Sequence, residues 1–217
     1  MKLFRKRYKS RKIDTWDVFY YVYGMLHHPG YRAKFADCLK RELPRIPLAE
    51  DFRAFANAGR ELAEWHLNYD RVQGSGVGVQ GKEPGTPDPE PRTPSPRPGD
   101  LYPLEWIETP GVPLSYRVEK MKLTKDKSAV VVNDSLRLGG VPPETFEYRL
   151  GNRSALDWVI DQYKVSTHKR SGITSDPNRA DDPEYIVRLV QQVVRVSVET
   201  VRIVKSLPAE YGVGVAK

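Results

Sequence analysis

Residues 114–150 read LSYRVEKMKLTKDKSAVVVNDSLRLGGVPPETFEYRL, and the period of two in this stretch decides the fold class. Tyr116 and Val118 alternate with Arg117 and Glu119, while Phe146, Tyr148 and Leu150 alternate with Glu147 and Arg149. Between them lie Ala129-Val130-Val131-Val132 and Leu136-Arg137-Leu138, separated by the turn Asn133-Asp134. Alternation puts every second side chain on one face, so the stretch predicts four strands of an antiparallel sheet. Gly139-Gly140 and Pro142-Pro143 mark a further turn.

Downstream the period returns to that of a helix. Ser154 and Asp157 are spaced as a capping pair that opens a helix through Trp158 to Tyr163. A longer helix follows, with Asp182 as cap, Pro183 in the first turn, and Ile186, Leu189, Val190, Val193, Val194, Val201 and Val204 on its apolar face. Pro208 ends it. Its valines lower helix propensity, but its length and caps favour a helix over a strand.

Upstream the signals are also helical. Asp14 or Thr15 caps a segment in which Trp16, Phe19, Tyr20, Tyr23 and Leu26 recur at three and four, and His27-His28-Pro29-Gly30 ends it. A second segment carries Tyr31, Phe35, Leu39 and Leu43 and stops at Pro44. A third starts near Pro47 and runs through Phe52, Phe55, Ala56, Gly59, Leu62, Ala63 and His66. Three short amphipathic helices with brief turns should pack as a small helical unit.

Between the two halves, residues 72–100 hold six Gly and seven Pro in 29 positions, with no aromatic. Such a segment cannot repay the entropy of ordering, so it reads as a disordered linker, extended and fairly stiff from Pro84 to Pro98. A P-x-x-P ligand is conceivable there, and a spacer is the simpler reading. The expected class is therefore α+β: an N-terminal helical unit, a Gly/Pro-rich linker, then an antiparallel sheet with packed helices including a long C-terminal one. The divisions fall at 1–12, 13–71, 72–100 and 101–217.

Charge is concentrated at one end. Lys2, Arg5, Lys6, Arg7, Lys9, Arg11 and Lys12 give residues 1–12 a charge of +7, which equals the net charge of the 217-residue chain, so the remainder sums to zero. A basic arm of this kind can hold phosphates, and a solvated terminus or the edge of a larger protein explains it as well. No apolar run follows the arm as in a signal peptide, and none reaches the roughly 18–20 residues of a membrane span. Cys38 is the single cysteine, which leaves no internal disulfide and no cysteine zinc site, so a reducing cytoplasm is expected.

Several chemistries have no motif here. G-x-x-x-x-G-K-[ST], G-x-S-x-G and H-E-x-x-H are absent, and Val141-Pro142-Pro143-Glu144 lacks the flanking residues of an amino-methyltransferase loop. His27 and His28 point about 100° apart on a helix and would not share a metal; near a helix end they are expected to meet carbonyls. Asp176, Asp181, Asp182 and Glu184 crowd one loop, where capping chemistry is more ordinary than a nuclease centre. No catalysis is expected from these residues.

Basic and amide residues, by contrast, recur in turns. Arg117, Lys120, Lys122, Lys125 and Lys127 line a strand and the turn after it; Asn152 and Arg153 sit between strand and helix; His168, Lys169, Arg170, Asn178 and Arg179 occupy a loop between helices. Lys and Arg neutralise phosphates and release counterions, while Arg, Asn and Lys form paired hydrogen bonds to base edges. These twelve residues are the candidate DNA-binding set. Turn lysines also serve solubility, and Asn152 after Gly151 suits a left-handed turn. Arg188, Arg195 and Arg202 recur every seven residues beside Glu199, which favours an ion-paired surface over a phosphate groove.

Several strings together resemble one family. Trp16 to Gly24, Leu39 to Pro47, Tyr102-Pro-Leu-Glu-Trp106, Leu114 to Lys120, Ser154 to Tyr163 and Ser175-Asp-Pro-Asn178 are similar, in order, to the carboxy-terminal region of single-polypeptide type ISP restriction-modification enzymes. The resemblance implies a helical spacer abutting an adenine-N6 methyltransferase, followed by a target-recognition domain that specifies sequence without catalysing anything. The nuclease, ATPase and methyltransferase would lie on other polypeptide, and S-adenosylmethionine, ATP and Mg²⁺ with them, so the chain itself needs no cofactor. The partner implied is double-stranded DNA. In such a family Met1 falls inside a longer protein, which reads as a fragment, a split gene or a truncated remnant, and the insert replaces a short connection. Two other readings stay open: an interaction module in which the helices of 13–68 bind a separately encoded methyltransferase part, and a nuclease using the acidic loop at 176–184.

Overall fold

The computed structural model describes residues 2–70 and 96–212, so most of the expected linker lies outside the described residues. Helix α1 spans Lys2–Arg7, α2 Thr15–His27, α3 Pro29–Lys34 and α4 Phe52–Asn68. The caps explain where the long ones start. Asp14 and Asp17 form a reciprocal capping box on α2, and the Asp51 carboxylate accepts from the Ala54 amide at 2.9 Å on α4. Helices α2 and α4 cross at Gly24 and Gly59, where the backbones touch: a Cβ on Gly59 would lie 1.8 Å from the Tyr20 carbonyl oxygen.

The second segment differs from expectation. It is helical only to Lys34, and Phe35 to Arg41 continue as turns, with the Leu39 amide donating to the Phe35 carbonyl. Leu43 is 90% exposed. Tyr31, Phe35 and Leu39 reach the helical core but Leu43 does not, and so short an apolar face leaves a short helix marginal.

The basic arm is folded rather than simply solvated. Phe4 packs edge-on against Tyr21 and Phe52, the Tyr8 hydroxyl donates to the Ala49 carbonyl at 2.6 Å, and Arg5 Nε donates to the Ile13 carbonyl. Its cationic side chains remain exposed.

The β-rich half is built on β1 (Glu105–Glu108), β2 (Lys122–Leu123), β3 (Ala129–Val131) and β4 (Leu136–Gly139), all antiparallel in the order β1-β4-β3-β2. The expected hairpin across Asn133-Asp134 is present. Two expected strands are not. Residues 116–119 run extended outside the sheet, because side chains satisfy their backbone instead of a neighbouring strand. Asn133 Nδ2 donates to the carbonyls of Ser115 (2.7 Å) and Arg117 (2.8 Å), and Asn178 both accepts from the Val118 amide and donates to its carbonyl, each at 2.8 Å. The places flanking the central hairpin go to β1, beside β4, and β2, beside β3. Residues 146–150 also fail to form a full strand: a 3₁₀ turn spans Pro143–Phe146, as the proline pair favours, and only β5 (Arg149–Leu150) is extended, pairing with β6 (Arg153–Ser154).

Helix α5 (Ala155–Gln162) opens on the expected Ser154–Asp157 capping box. A small hairpin, β7 (Ser166–Thr167) with β8 (Thr174–Ser175), follows, and α6 spans Tyr185–Lys205. The start of α6 is shifted from the expected cap: Asp182 gives its carbonyl to the Tyr185 amide and its carboxylate to Arg188.

Helix α6 joins the two halves. Ile186, Val187, Leu189, Val190, Val193 and Val194 pack with the sheet and α5, whereas Val196 and Ile203, with Leu207 just past the helix end, pack with α2 and α4. The arginine stripe on this helix is ion-paired as the sequence suggests. Glu199, only 5% exposed, lies between Arg195 (3.7 Å) and Arg202 (2.7 Å), and Arg202 reaches on to Glu61 of α4.

At the junction sits a half-buried histidine. Thr200 Oγ1 donates to the Val196 carbonyl (2.6 Å), so it accepts from His66 Nε2 (2.9 Å), and His66 Nδ1 accepts from the Tyr23 hydroxyl (2.7 Å). The neutral ring satisfies every partner; a protonated ring would turn Nδ1 into a second donor facing Tyr23. Burial first, and then neighbouring His27, lowers the His66 pKa to about 4. His27 itself donates to the Tyr23 carbonyl, and burial lowers its pKa too. Between pH 6.5 and 4 the unfolded chain binds a proton at His66 that the folded chain refuses, so stability falls as pH falls through that window, by at most about 1.4 kcal/mol per pH unit. Denaturant midpoints measured across it should show this slope, and His66→Gln should reduce it.

Candidate nucleic-acid interface

The β2–β3 turn carries the first group of candidates. Thr124 and Asp126 tie it: the Ala129 amide donates to Thr124 Oγ1 (3.1 Å) and the Ser128 hydroxyl to Asp126 (2.8 Å). Hydrogen bonds from Thr124 and Ser128 hold the Asp126 carboxyl at about 2, so it stays charged and keeps the turn closed. Lys127 adopts a left-handed φ of 59° and its Nζ sits 5.0 Å from the centre of the Phe146 ring. Lys120, Lys122 and Lys125 are exposed and have no acidic partner among the described residues.

The second group sits on the β5–β6 turn. Gly151, not Asn152, takes the left-handed conformation, with φ 70°. Asn152 instead accepts from Arg149 through its carbonyl. Arg153 is engaged: it pairs with Asp161 at 3.0 Å and lies 5.2 Å above the Trp158 ring. Asp161 also takes Lys164 at 2.7 Å, and these hydrogen bonds lower its pKa.

The β7–β8 hairpin forms the third group. The His168 amide donates to the Ile173 carbonyl (2.8 Å), and Gly172 at φ 69° turns the chain. His168 Nδ1 accepts from the Ser171 amide and hydroxyl, which holds the tip. Lys169 and Arg170 stand on that tip, exposed and without an acidic partner among the described residues, beside Ile173 at 70% exposure.

Three of the candidates act as scaffold. Asn178 spends its amide on the Val118 backbone and Asp176; Arg117 lies between Glu119 (2.7 Å) and Asp176 (2.9 Å); the Arg179 guanidinium lies 3.4 Å from the Tyr185 ring centre. Together with the Val165 amide donating to the Glu119 carbonyl, these contacts anchor the base of the hairpin to the 116–120 segment. The acids of the same loop face cations and amides: Asp176 meets Arg117 and Asn178, and Asp182 and Glu184 meet Arg188. No three His, Cys, Asp or Glu side chains converge as a metal site among the described residues.

Residues 1–189 match the family model described as the type ISP C-terminal specificity domain. The chain belongs to that family. No curated protein matches it. Among solved structures, this specificity domain is similar to a nuclease-deletion mutant of the type ISP restriction-modification enzyme LlaGI in complex with a DNA substrate mimic, at 35% identity and a TM-score of 0.71. It is also similar to the ATP-dependent type ISP restriction-modification enzyme LlaBIII bound to DNA (32%, 0.70) and to the DrdV–DNA complex (34%, 0.73). The matches cover 94%, 92% and 96% of the specificity domain but only 14%, 12% and 19% of those chains, so it spans less than a fifth of their length.

Within the specificity domain, then, two tips present unneutralised cations on tied turns, and the surrounding candidates hold those tips in place. Arg149, whose alternation places it in a strand, stands at the root of the β5–β6 turn and is exposed. No helix among the described residues is long and apolar enough to cross a membrane.

Proposed function

We propose that this specificity domain reads duplex DNA for a type ISP restriction-modification system, directing adenine-N6 methylation and restriction that are carried out on polypeptide outside this chain. The carrying observation is a set of five cations exposed without acidic partners among the described residues, Lys125 on the β2–β3 turn, Lys120 and Lys122 on the approach to it, and Lys169 and Arg170 on the β7–β8 tip, on a fold shared with enzymes solved on DNA. Phosphate contacts from these residues set the register, and the hairpin tip supplies groups that discriminate base edges. S-adenosylmethionine, ATP and Mg²⁺ chemistry then belongs to the other parts of the system, where the adenine is turned out of the stack.

A second reading has one observation in its favour. On α2, Trp16 (63% exposed) and Phe19 (50%) stack with Tyr20 and Tyr23 as an aromatic face in solvent. Such a face suits a protein partner, such as a methyltransferase part, and it is compatible with DNA reading by the other half.

The test is an anisotropy titration of the full chain on random-sequence duplexes across a salt series. Each lost phosphate contact changes the log–log slope by about 0.9. Lys169→Ala with Arg170→Ala should reduce the slope by about 1.8 and weaken binding about tenfold at moderate salt. A wild-type chain that ignores duplex at low salt overturns the reading.

A further inference from the structure

Where the helical layer meets the β-rich half, an open cavity of about 410 Å³ is lined by charges from both. Arg32 comes from α3, Glu147 and Arg149 from the stretch before the β5–β6 turn, and Lys205 from the end of α6; Val201 and Val204 form an apolar floor. Lys205 and Glu147 neutralise each other at 2.9 Å. Arg32 and Arg149 have no acidic partner among the described residues, although both are exposed and acids are plentiful on the surface. Arg149 is nevertheless fixed, because it donates to the Asn152 carbonyl of its own turn.

We propose that this cavity takes a phosphate of the duplex backbone, gripped by Arg32 on one side and Arg149 on the other. The guanidinium fork matches phosphate oxygens in pairs, and an apolar floor strengthens the field between two such groups. The β5–β6 turn, one of the three candidate turns, borders the cavity through Gly151, and a duplex backbone or a free phosphate compound would offer the same chemistry there. Arg32 already imposes its charge on the back wall: burial is the main cause that lowers the His27 pKa, and Arg32 lowers it further. The inference rests on the DNA-reading proposal and extends it, since the reader then includes the helical half as well as residues 101–217.

The experiment uses the full chain with Arg32→Gln, Arg149→Gln and the double variant, each confirmed folded by its urea midpoint. On duplex across a salt series, each single substitution should lower the log–log slope by about 0.9 and the pair by up to about 1.8, while Arg32→Lys and Arg149→Lys should keep it. The tip variant Lys169→Ala/Arg170→Ala serves as the reference. If it lowers the slope and neither Gln variant does, the cavity inference is wrong and the DNA reading stands; if no variant moves the slope, both fail. Inorganic tripolyphosphate, followed by calorimetry, separates the sources. Tight tripolyphosphate binding that the Gln variants abolish while duplex slopes stay unchanged overturns the duplex assignment.

Discussion

Gly59→Ala is expected to destabilise the chain by about 3 kcal/mol, despite alanine's better helix propensity. In an exposed helix the exchange would gain about 1 kcal/mol. Here the new Cβ would meet the Tyr20 carbonyl oxygen at 1.8 Å and the Gly24 amide nitrogen at 2.8 Å. Both obstacles are backbone, so no rotamer change relieves them and α2 must move away from α4. That movement opens the cluster of Tyr21, Met25, Phe55 and Leu62, all fully buried. Overpacking alone costs about 1–3 kcal/mol, and the lost contacts add to it. Urea unfolding should show the drop in midpoint with α-helical signal as the probe. Gly24→Ala should behave alike, since its Cβ would lie 2.4 Å from the Phe55 carbonyl oxygen. An unchanged midpoint for Gly59→Ala would mean that the two helices do not cross in contact there.

Asn133→Asp should cost about 1–2 kcal/mol, although it alters a single polar group at a half-buried turn. The Oδ1 side of Asn133 accepts from the amides of Ser135 (2.8 Å) and Leu136 (3.0 Å), and an aspartate keeps those bonds. The Nδ2 side is where the change acts. It donates to the Ser115 and Arg117 carbonyls, and a carboxylate would place a second acceptor against both. Both bonds are exposed, so water can reach the freed carbonyls, and the cost comes from the lost donor and the negative charge facing two acceptors rather than from a full burial penalty. The released segment also carries the Val118–Asn178 clip, so the β7–β8 hairpin should loosen with it. Hydrogen exchange checks both halves of this argument. The Val118 and His168 amides should lose protection, whereas the Leu136 amide should keep it. If duplex affinity falls with hairpin order, the hairpin is confirmed as the element whose position matters for binding.

The two substitutions also separate what was readable along the chain from what was not. Helix starts are local events. Ser154 with Asp157 forms the capping box its spacing places there, and of the two caps open for α2 it is Asp14 that serves, in a box with Asp17. The β3–β4 hairpin is local for the same reason, because its turn and alternation lie close together in the chain. The long helix α6 follows from a run of apolar positions that needs only one continuous face.

Sheet membership is different, and so is the candidate interface. Residues 116–119 have the alternation of a strand, yet Asn178, 60 residues later, takes their backbone bonds. Period two reports two-sidedness, not which partner supplies the hydrogen bonds, and an extended segment clipped by side chains has the same pattern. Of the twelve candidate residues, Arg117, Asn178, Arg153 and Arg179 are occupied by contacts that composition cannot distinguish from availability.

By itself, the order of residues determined the α+β class, the caps of α2 and α5, the central hairpin and the clustering of cations in and beside turns, because each depends on neighbours a few positions apart. Tertiary structure alone decided that β1 and β2, rather than 116–119 and 146–150, flank the central hairpin, that α6 serves both cores, and which cations are left without a counter-charge. Those outcomes depend on groups that are distant in the chain and adjacent in space, and whether a charge is free is a property of its surroundings rather than of its residue type.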